Sequence, residues 1–373
     1  MPSLPLPRIL PLAAWIDCTE ALLEFLERGA PRIGLDTEFM RTDTFAPKLA
    51  LIQIEIDGAI ALVDPLARLD ATALATHLSD PQTLSIMHSA SEDLDALAPI
   101  LPRGLGTLYD TQIAAAFCGL GAGLGYQKLV ITLVGVELPK GETRSDWLRR
   151  PLSPQQLEYA AQDVVHLPTL HAELSARLDQ RGYAAWHAED CARMLERARR
   201  REPDSEPQVG FRGAADWPRE QQALLRRLLL WRDATARRID KPRPWILDDP
   251  RLLDFAARPP RDSDDLFERS KGLRALRSAE RALLLETLYA PLQAEELEFM
   301  AIPPAATLQE RRAIGALKEI VVARALEFDI PEGLLCSRRH LETLWLTRQW
   351  PAALEGWRKP LLHDALMARL PES

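Results

Sequence analysis

Between residues 32 and 64 three apolar runs, RIGLDTEF, LALIQIEI and AIALVD, follow one another across short turns at Ala46 to Lys48 and Asp57 to Gly58. Strand-length runs joined so tightly predict an antiparallel meander. The helical run ATALATHL, the short strand TLSIMH and then helical patterns follow, which together predict a mixed α/β sheet with helices. The first run ends on Asp36 and Glu38. Alternation with period 2 turns both carboxylates to the same side of the strand. Like charges at the rim of a packed sheet repel each other and lose hydration, so they persist comfortably only around a cation. A hard divalent metal suits such oxygen donors.

Two later stretches add acids. Asp93, in MHSASEDLDAL, heads the helical run SEDLDALAPI just after TLSIMH, where an acid is also an ordinary first-turn residue. Tyr159 and Asp163, in LSPQQLEYAAQDVVHLPTLHAEL, stand four apart in a single predicted helix, which stacks phenol and carboxylate on one face. Each element alone is common in proteins, and only their order is informative.

That order is DTE on a strand, then His88 to Asp93, then YxxxD on a helix, and it resembles the tyrosine-bearing branch of the DEDD exonuclease superfamily, most closely the ribonuclease D family. LALIQIEIDGAIALVDPL, LYDTQIAAAF, GYQKLV and RSDWLRRPLSPQQLEYAAQDV extend the resemblance over roughly the first half of the chain. The resemblance implies a ribonuclease H-like exonuclease domain that removes nucleotides from the 3′ end of RNA. It implies that Asp36, Glu38, Asp93 and Asp163 ligate two Mg²⁺ or Mn²⁺ ions while Tyr159 orients the attacking water. A phenol titrates near pH 10, so it is a poor base at neutral pH and a better hydrogen-bond partner. Hydrolysis of a phosphodiester asks mainly for positioning and charge neutralisation, so neither a covalent nucleophile nor an organic cofactor is needed.

Other residues near these motifs have two readings each. Phe39 is placed to stack on a terminal base or to fill core. His88, at a strand end, is a structural hydrogen-bonding residue or a substrate neighbour. Lys140 and Arg144 lie in the basic stretch PKGETRSDWLRRPL, as a surface loop or as phosphate contacts, with Trp147 packing under the site. Asp110 precedes the helical run TQIAAAF and is an N-cap, so it stays outside the metal set.

At 373 residues the chain is long enough for two or three domains. Beyond a segment rich in proline, glycine and acids, PDSEPQVGFRGAAD, the pattern is helical throughout. EQQALLRRLLLWRDATARRIDKPRPWILDDPRLLDFAARPP resembles the HRDC module, a small helical bundle found in ribonuclease D and in RecQ-type helicases. VVARALEFDIPEGLLCSRRHLETLW echoes it: an Ala-Arg step, an acid, a proline, an apolar pair and a leucine recur. The expected organisation is an exonuclease domain over 1–205, an HRDC domain over 212–292 and a divergent second HRDC-like bundle over 293–373.

Charge divides unevenly. Residues 1–211 carry 19 Lys and Arg against 29 Asp and Glu, whereas 212–292 carry 17 against 13. The basic middle segment, with Arg226, Arg227, Arg232, Arg237, Arg238, Lys241 and Arg243, is either a phosphate-backbone clamp or a solvated face balanced by acids. No apolar run approaches the roughly 18 residues that span a membrane. The start, MPSLPLPRILPLAAWIDC, lacks the basic region and cleavage site of a signal peptide. Cys18, Cys118, Cys191 and Cys336 are too scattered for zinc or a disulfide framework. The expectation is a cytoplasmic 3′–5′ exoribonuclease acting on RNA such as precursor tRNA and releasing nucleoside 5′-monophosphates. A DNA exonuclease and a non-catalytic RNA scaffold are the rivals.

Overall fold

The structure is a computed structural model that describes residues 13–139, 141–142 and 145–371. The proline-rich start and the loop positions Lys140 and Arg144 lie outside the described residues. The chain divides into two compact units, one of Met1–Met40, Leu49–Arg200 and Arg311–Ser373, the other of Arg41–Lys48 and Arg201–Glu310.

The first unit is built on a six-stranded sheet. Its strands are β1 (Ala14–Ile16), β2 (Arg32–Met40), β3 (Lys48–Ile56), β4 (Ala59–Val63), β5 (Leu84–Met87) and β6 (Thr107–Asp110), in the order β1-β4-β3-β2-β5-β6. The β3–β4 hairpin is antiparallel, with Ile56 opposite Ala59. Its two-residue turn, Asp57-Gly58, has positive φ at both positions, the conformation in which a hairpin turn follows the twist of its strands. Parallel pairing of β1 with β4, β2 with β5 and β5 with β6 completes the mixed sheet. The outermost strands, β1 and β6, have three and four residues, too short to leave a period in the sequence.

Among the described residues up to 200, eight helices accompany this sheet: α1 (Thr19–Leu26), α2 (Thr72–Leu78), α3 (Ser91–Leu97), α4 (Thr111–Phe117), α5 (Tyr126–Val134), α6 (Pro154–Val165), α7 (Leu167–Arg181) and α8 (Ala184–Arg200). Alternation along the strands separates two cores. Ile33 and Leu35 of β2 join Ile52, Ile54 and Ile56 of β3 against apolar residues of α1, α2, α3 and α8. On the opposite face Ile60, Leu62, Ile86 and Tyr109 pack with α4 to α7. The helix expected to run unbroken through YxxxD and on to Leu174 is in fact two. Pro168 sits in the first turn of α7, and since it lacks an N–H and its ring collides with the preceding turn, α6 ends at Val165.

Five helices belong to the second unit: α9 (Arg219–Ile239), α10 (Arg243–Ile246), α11 (Asp249–Ala257), α12 (Ser263–Arg269) and α13 (Ser278–Tyr289). Their core centres on Leu225, Leu228, Phe255, Leu266 and Leu284. The segment rich in proline, glycine and acids, readable as a linker or a loop, belongs to this unit: it forms two short 3₁₀ turns, and buried Gln208 donates to the Met300 carbonyl.

The last four helices are α14 (Leu308–Glu327), α15 (Glu332–Leu335), α16 (Arg338–Thr347) and α17 (Lys359–Met367). Here the expected domain boundary shifts. Residues 293–310 cluster with the second unit, while 311–373 join the first, because Ile314, Leu317, Val321, Leu335, Leu341, Leu344 and Leu362 share a core with α4 to α7. The echo between the two helical segments is nonetheless visible in the backbone. Each long helix, α9 or α14, is followed by an aspartate with φ near +48° (Asp240, Asp329). A proline then caps a four-residue helix (Pro242, Pro331), an extended residue follows (Leu247, Cys336), and a side chain, Asp248 or Ser337, caps the next helix.

Candidate active site

Asp36 and Glu38 lie near the end of β2 and keep partial solvent access. On the same face Gly34 removes an obstacle: a Cβ there would lie 3.1 Å from Glu55 Cβ and 3.4 Å from the Val164 carbonyl oxygen. The bare backbone lets α6 come down against β2 and brings Asp163, one residue before Val164, to the acids of the strand. Helix α6 is fixed at its start by a capping box, in which the Ser153 side chain accepts from the Gln156 N–H and Gln156 answers to the Ser153 N–H, with Pro154 in the first turn. The preceding loop is anchored by Arg150, whose guanidinium grips Asp64 at 2.7 and 2.8 Å and the Ala50 carbonyl at 2.6 Å.

Tyr159 and Asp163 stand one turn apart on α6 and interact electrostatically. Fully buried Trp147 backs the phenol ring at 6.0 Å. Asp93 arrives on α3. Thr37, between the two acids of β2, points to the other face, and its hydroxyl donates to Asp93 Oδ1 at 2.5 Å. Thr37 left no signal in the sequence beyond its place inside DTE.

The four acids form one electrostatic cluster. Burial first, then the charges of Asp93, Asp163 and Glu38, push Asp36 well above the usual carboxylate range. Burial followed by Asp163 and Asp93 raises Glu38 to about 9. Desolvation lifts Asp163 to about 7 and Asp93 to about 6, against the lowering pull of the Tyr159 and Thr37 hydroxyls respectively. Tyr159 itself is driven above its ordinary value, by burial and then by the neighbouring carboxylates. Among the described residues no three side chains of the ligand types converge into a ready-made metal cage. The donor chemistry nevertheless fits hard dications, since four mutually repelling, desolvated carboxylates lower their energy most by gathering around positive charge.

The remaining expected residues divide. Phe39 is half-buried beside Glu38. His88 is turned into the protein: Nδ1 lies 2.9 Å from the Thr111 hydroxyl, the ring packs edge-on to Tyr126 at 5.6 Å, and burial lowers its pKa. Asp110 caps α4, accepting from the Gln112 and Ile113 N–H groups. In the second unit the arginine cluster is largely neutralised in place. Arg226 faces Glu206, Arg227 holds Glu296, Arg232 holds Asp249, Arg237 and Arg243 share Asp233, and Arg238 faces Glu280.

A family described as 3′-5′ exonuclease matches residues 13–179, and the HRDC domain family matches residues 221–277. Ribonuclease D of Xanthomonas oryzae pv. oryzae is 44% identical over 364 residues, covering 96% of this chain and 99% of that protein. The chain belongs to the ribonuclease D family. Escherichia coli ribonuclease D is 33% identical over 376 residues, covering 96% of this chain and 98% of its own length. The crystal structure of E. coli RNase D, described as an exoribonuclease involved in structured RNA processing, superposes with a TM-score of 0.80 over 96% of this chain and 98% of that one, at 31% identity. A protein from Bifidobacterium adolescentis shares the fold with a TM-score of 0.70 at 21% identity, covering 98% of each chain. Membership makes the chain a 3′–5′ exoribonuclease, a mixed-sheet exonuclease domain followed by a helical HRDC domain.

Proposed function

We propose that Asp36, Glu38, Asp93 and Asp163 hold two divalent metal ions, Mg²⁺ or Mn²⁺, and that Tyr159 places the water that attacks the 3′-terminal phosphodiester of RNA. The observation that carries this reading is geometric: Asp36 and Glu38 share one face of β2, α6 with Asp163 closes on that strand at Gly34, and Thr37 between the two acids bonds Asp93. Divalent ions in such a set supply charge neutralisation for the transferring phosphoryl group and a more acidic water. Tyr159 contributes orientation, because a phenol whose proton is held this firmly donates or accepts a hydrogen bond and does not serve as the base. Trp147 and the start of α6 keep that phenol in place.

Attack on the terminal linkage releases a nucleoside 5′-monophosphate. The substrate is the 3′ extension of structured RNA such as precursor tRNA; the E. coli protein's part in structured RNA processing supports the structured-RNA part of this reading. Exposed Arg238 and Arg243 of the second unit are then available to RNA phosphates, and Phe39 to the terminal base. A cytoplasmic setting agrees with four free cysteines and with helices none of which, among the described residues, is long and apolar enough to cross a membrane.

A time course on 5′-labelled RNA and DNA of equal sequence, with Mg²⁺, Mn²⁺ or EDTA, tests the assignment. The expected product is a ladder shortening from the 3′ end, dependent on metal and faster on RNA. A ladder unaffected by EDTA would overturn the metal reading, and DNA degraded as fast as RNA would overturn the substrate class.

The pKa shifts give a second expectation. Asp93, Asp163 and Glu38 are held at about 6, 7 and 9, above the value of about 4 for an unfolded carboxylate. The folded state therefore binds more protons than the unfolded chain across that window. Stability from these groups is full below about pH 4 and is lost as pH rises through the folded values. The Tm of the metal-free protein is expected to fall between about pH 5 and pH 9, and Mg²⁺ is expected to raise it more at the alkaline end. A Mg²⁺ stabilisation independent of pH would show that the cluster does not take up the metal.

A further inference from the structure

Asp110 does more than cap a helix. Its side chain is fully buried at the end of β6, and its two oxygens accept four backbone N–H groups. Oδ1 receives Gln112 at 2.8 Å, Ile113 at 3.1 Å and Ser89 at 3.3 Å, while Oδ2 receives Ala90 at 2.9 Å. Two of these donors open α4 and the other two form the turn between β5 and α3. That turn lacks local support. Ala90, the residue that begins α3, has no side-chain cap, and Ser89 is held at φ +60°, a left-handed conformation that a non-glycine residue adopts only at a cost. Three residues further on stands Asp93.

We infer that Asp110 is a positioning residue for the metal centre: it clamps the strained Ser89-Ala90 turn and thereby aims α3 so that Asp93 meets Asp36 and the Thr37 hydroxyl. Thr111 reinforces the clamp, its hydroxyl donating to the Met87 carbonyl at the end of β5. The inference rests on reading Asp93 as a metal ligand. Groups that hold and orient ligands typically alter metal affinity or activity about 10- to 100-fold when removed.

Asp110→Asn weakens the α3 side of the clamp selectively. Asparagine is as good an N-cap as aspartate, so Oδ1 continues to serve α4. Its amide nitrogen replaces Oδ2 and meets the Ala90 N–H donor to donor, so the α3 side loses its shorter bond and keeps only the 3.3 Å contact of Ser89 with Oδ1. The test is Mn²⁺ binding, followed by the paramagnetic resonance of free Mn²⁺, alongside kcat across a Mn²⁺ titration and the KM for RNA. Asp110→Asn is expected to bind Mn²⁺ about 10- to 100-fold more weakly, with kcat at limiting Mn²⁺ reduced in proportion and KM for RNA unchanged. Adding Ser89→Gly should restore much of the affinity, because glycine adopts positive φ without the penalty. A purely structural role would not be rescued in metal affinity by that change.

Wild-type Mn²⁺ affinity in a folded Asp110→Asn protein would overturn the proposal, as would a double variant no better than the single one. Asp110→Ser, which keeps a cap for α4 and has no second oxygen, is the companion variant. Loss of the fold in both would assign Asp110 to stability alone and equally overturn it. Absence of Mn²⁺ binding by the wild-type protein would instead sink the reading of the four acids as ligands.

Discussion

Asp163→Asn is expected to reduce hydrolysis of RNA by about 10³-fold, while the metal-free variant melts above the wild type at about pH 8. The first half follows from what a ligand does: losing it weakens metal-held charge stabilisation of the transition state by several kcal/mol, and each 1.36 kcal/mol is about tenfold in rate. The second half follows from the sign of the shift. Asp163 is raised to about 7 chiefly by burial, so above that pH its ionised form costs stability, and a neutral isostere removes the cost. Structural residues behave the other way, since their replacement lowers activity and stability together. Tyr159→Phe provides the contrast, with a loss of one oriented hydrogen bond, about 10- to 100-fold, and Mn²⁺ affinity close to the wild type. Rates of Asp163→Asn within tenfold of the wild type, measured on labelled RNA at saturating Mg²⁺, would remove Asp163 from the metal set.

The acids were legible in the sequence because their positions are dictated by regular geometry. Alternation on β2 pairs Asp36 with Glu38, and the turn of α6 pairs Tyr159 with Asp163. What connects them was not legible. Thr37, Gly34 and Asp110 act through contacts between residues 56, 130 and about 20 positions apart, and nothing periodic marks such a contact. Asp110 was readable as the cap of α4 but not as the support of the turn before α3, since the second role depends on β5 and β6 lying side by side.

In the second half, spacing revealed α9, α11 and the repeated aspartate-proline scheme, which are local features. Partner choice was invisible. Of the two readings open for the arginines, a phosphate clamp or a face balanced by acids, the second describes most of them, Arg227 and Arg232 with little exposure, because long cationic side chains on a helix face find whichever carboxylate the fold supplies. Nor did composition indicate that the last segment would share a core with the exonuclease domain. Its apolar positions have helical spacing whether they close on themselves or on a neighbour, and only the tertiary structure distinguishes the two.

That shared core makes a strong demand on a single ion pair. The last segment meets α8 through a column of rings, Tyr183 on Trp186 at 4.5 Å and Trp186 on Trp357 at 4.7 Å, both nearly parallel. Beside it Asp190 accepts from both terminal nitrogens of Arg358, at 2.6 and 2.7 Å, and from the Trp357 indole at 3.1 Å. Asp190 and Arg358 are about 9 and 11% exposed, so little water reaches either charge. Removing one partner strands the other, which typically costs about 3–5 kcal/mol. Asp190→Ala is therefore expected to destabilise the protein by that amount in denaturant and to open the chain near residues 311–371 to limited proteolysis. Replacing both, Asp190→Leu with Arg358→Met, should recover most of the loss, because an apolar pair of similar volume carries no desolvation penalty. The Leu334 carbonyl, which accepts from Arg358 in the wild type, and the Trp357 indole, which donates to Asp190, would still lack partners, so recovery stops short of the wild type. An Asp190→Ala protein within about 1 kcal/mol of the wild type would mean that the ring column alone seats the last segment.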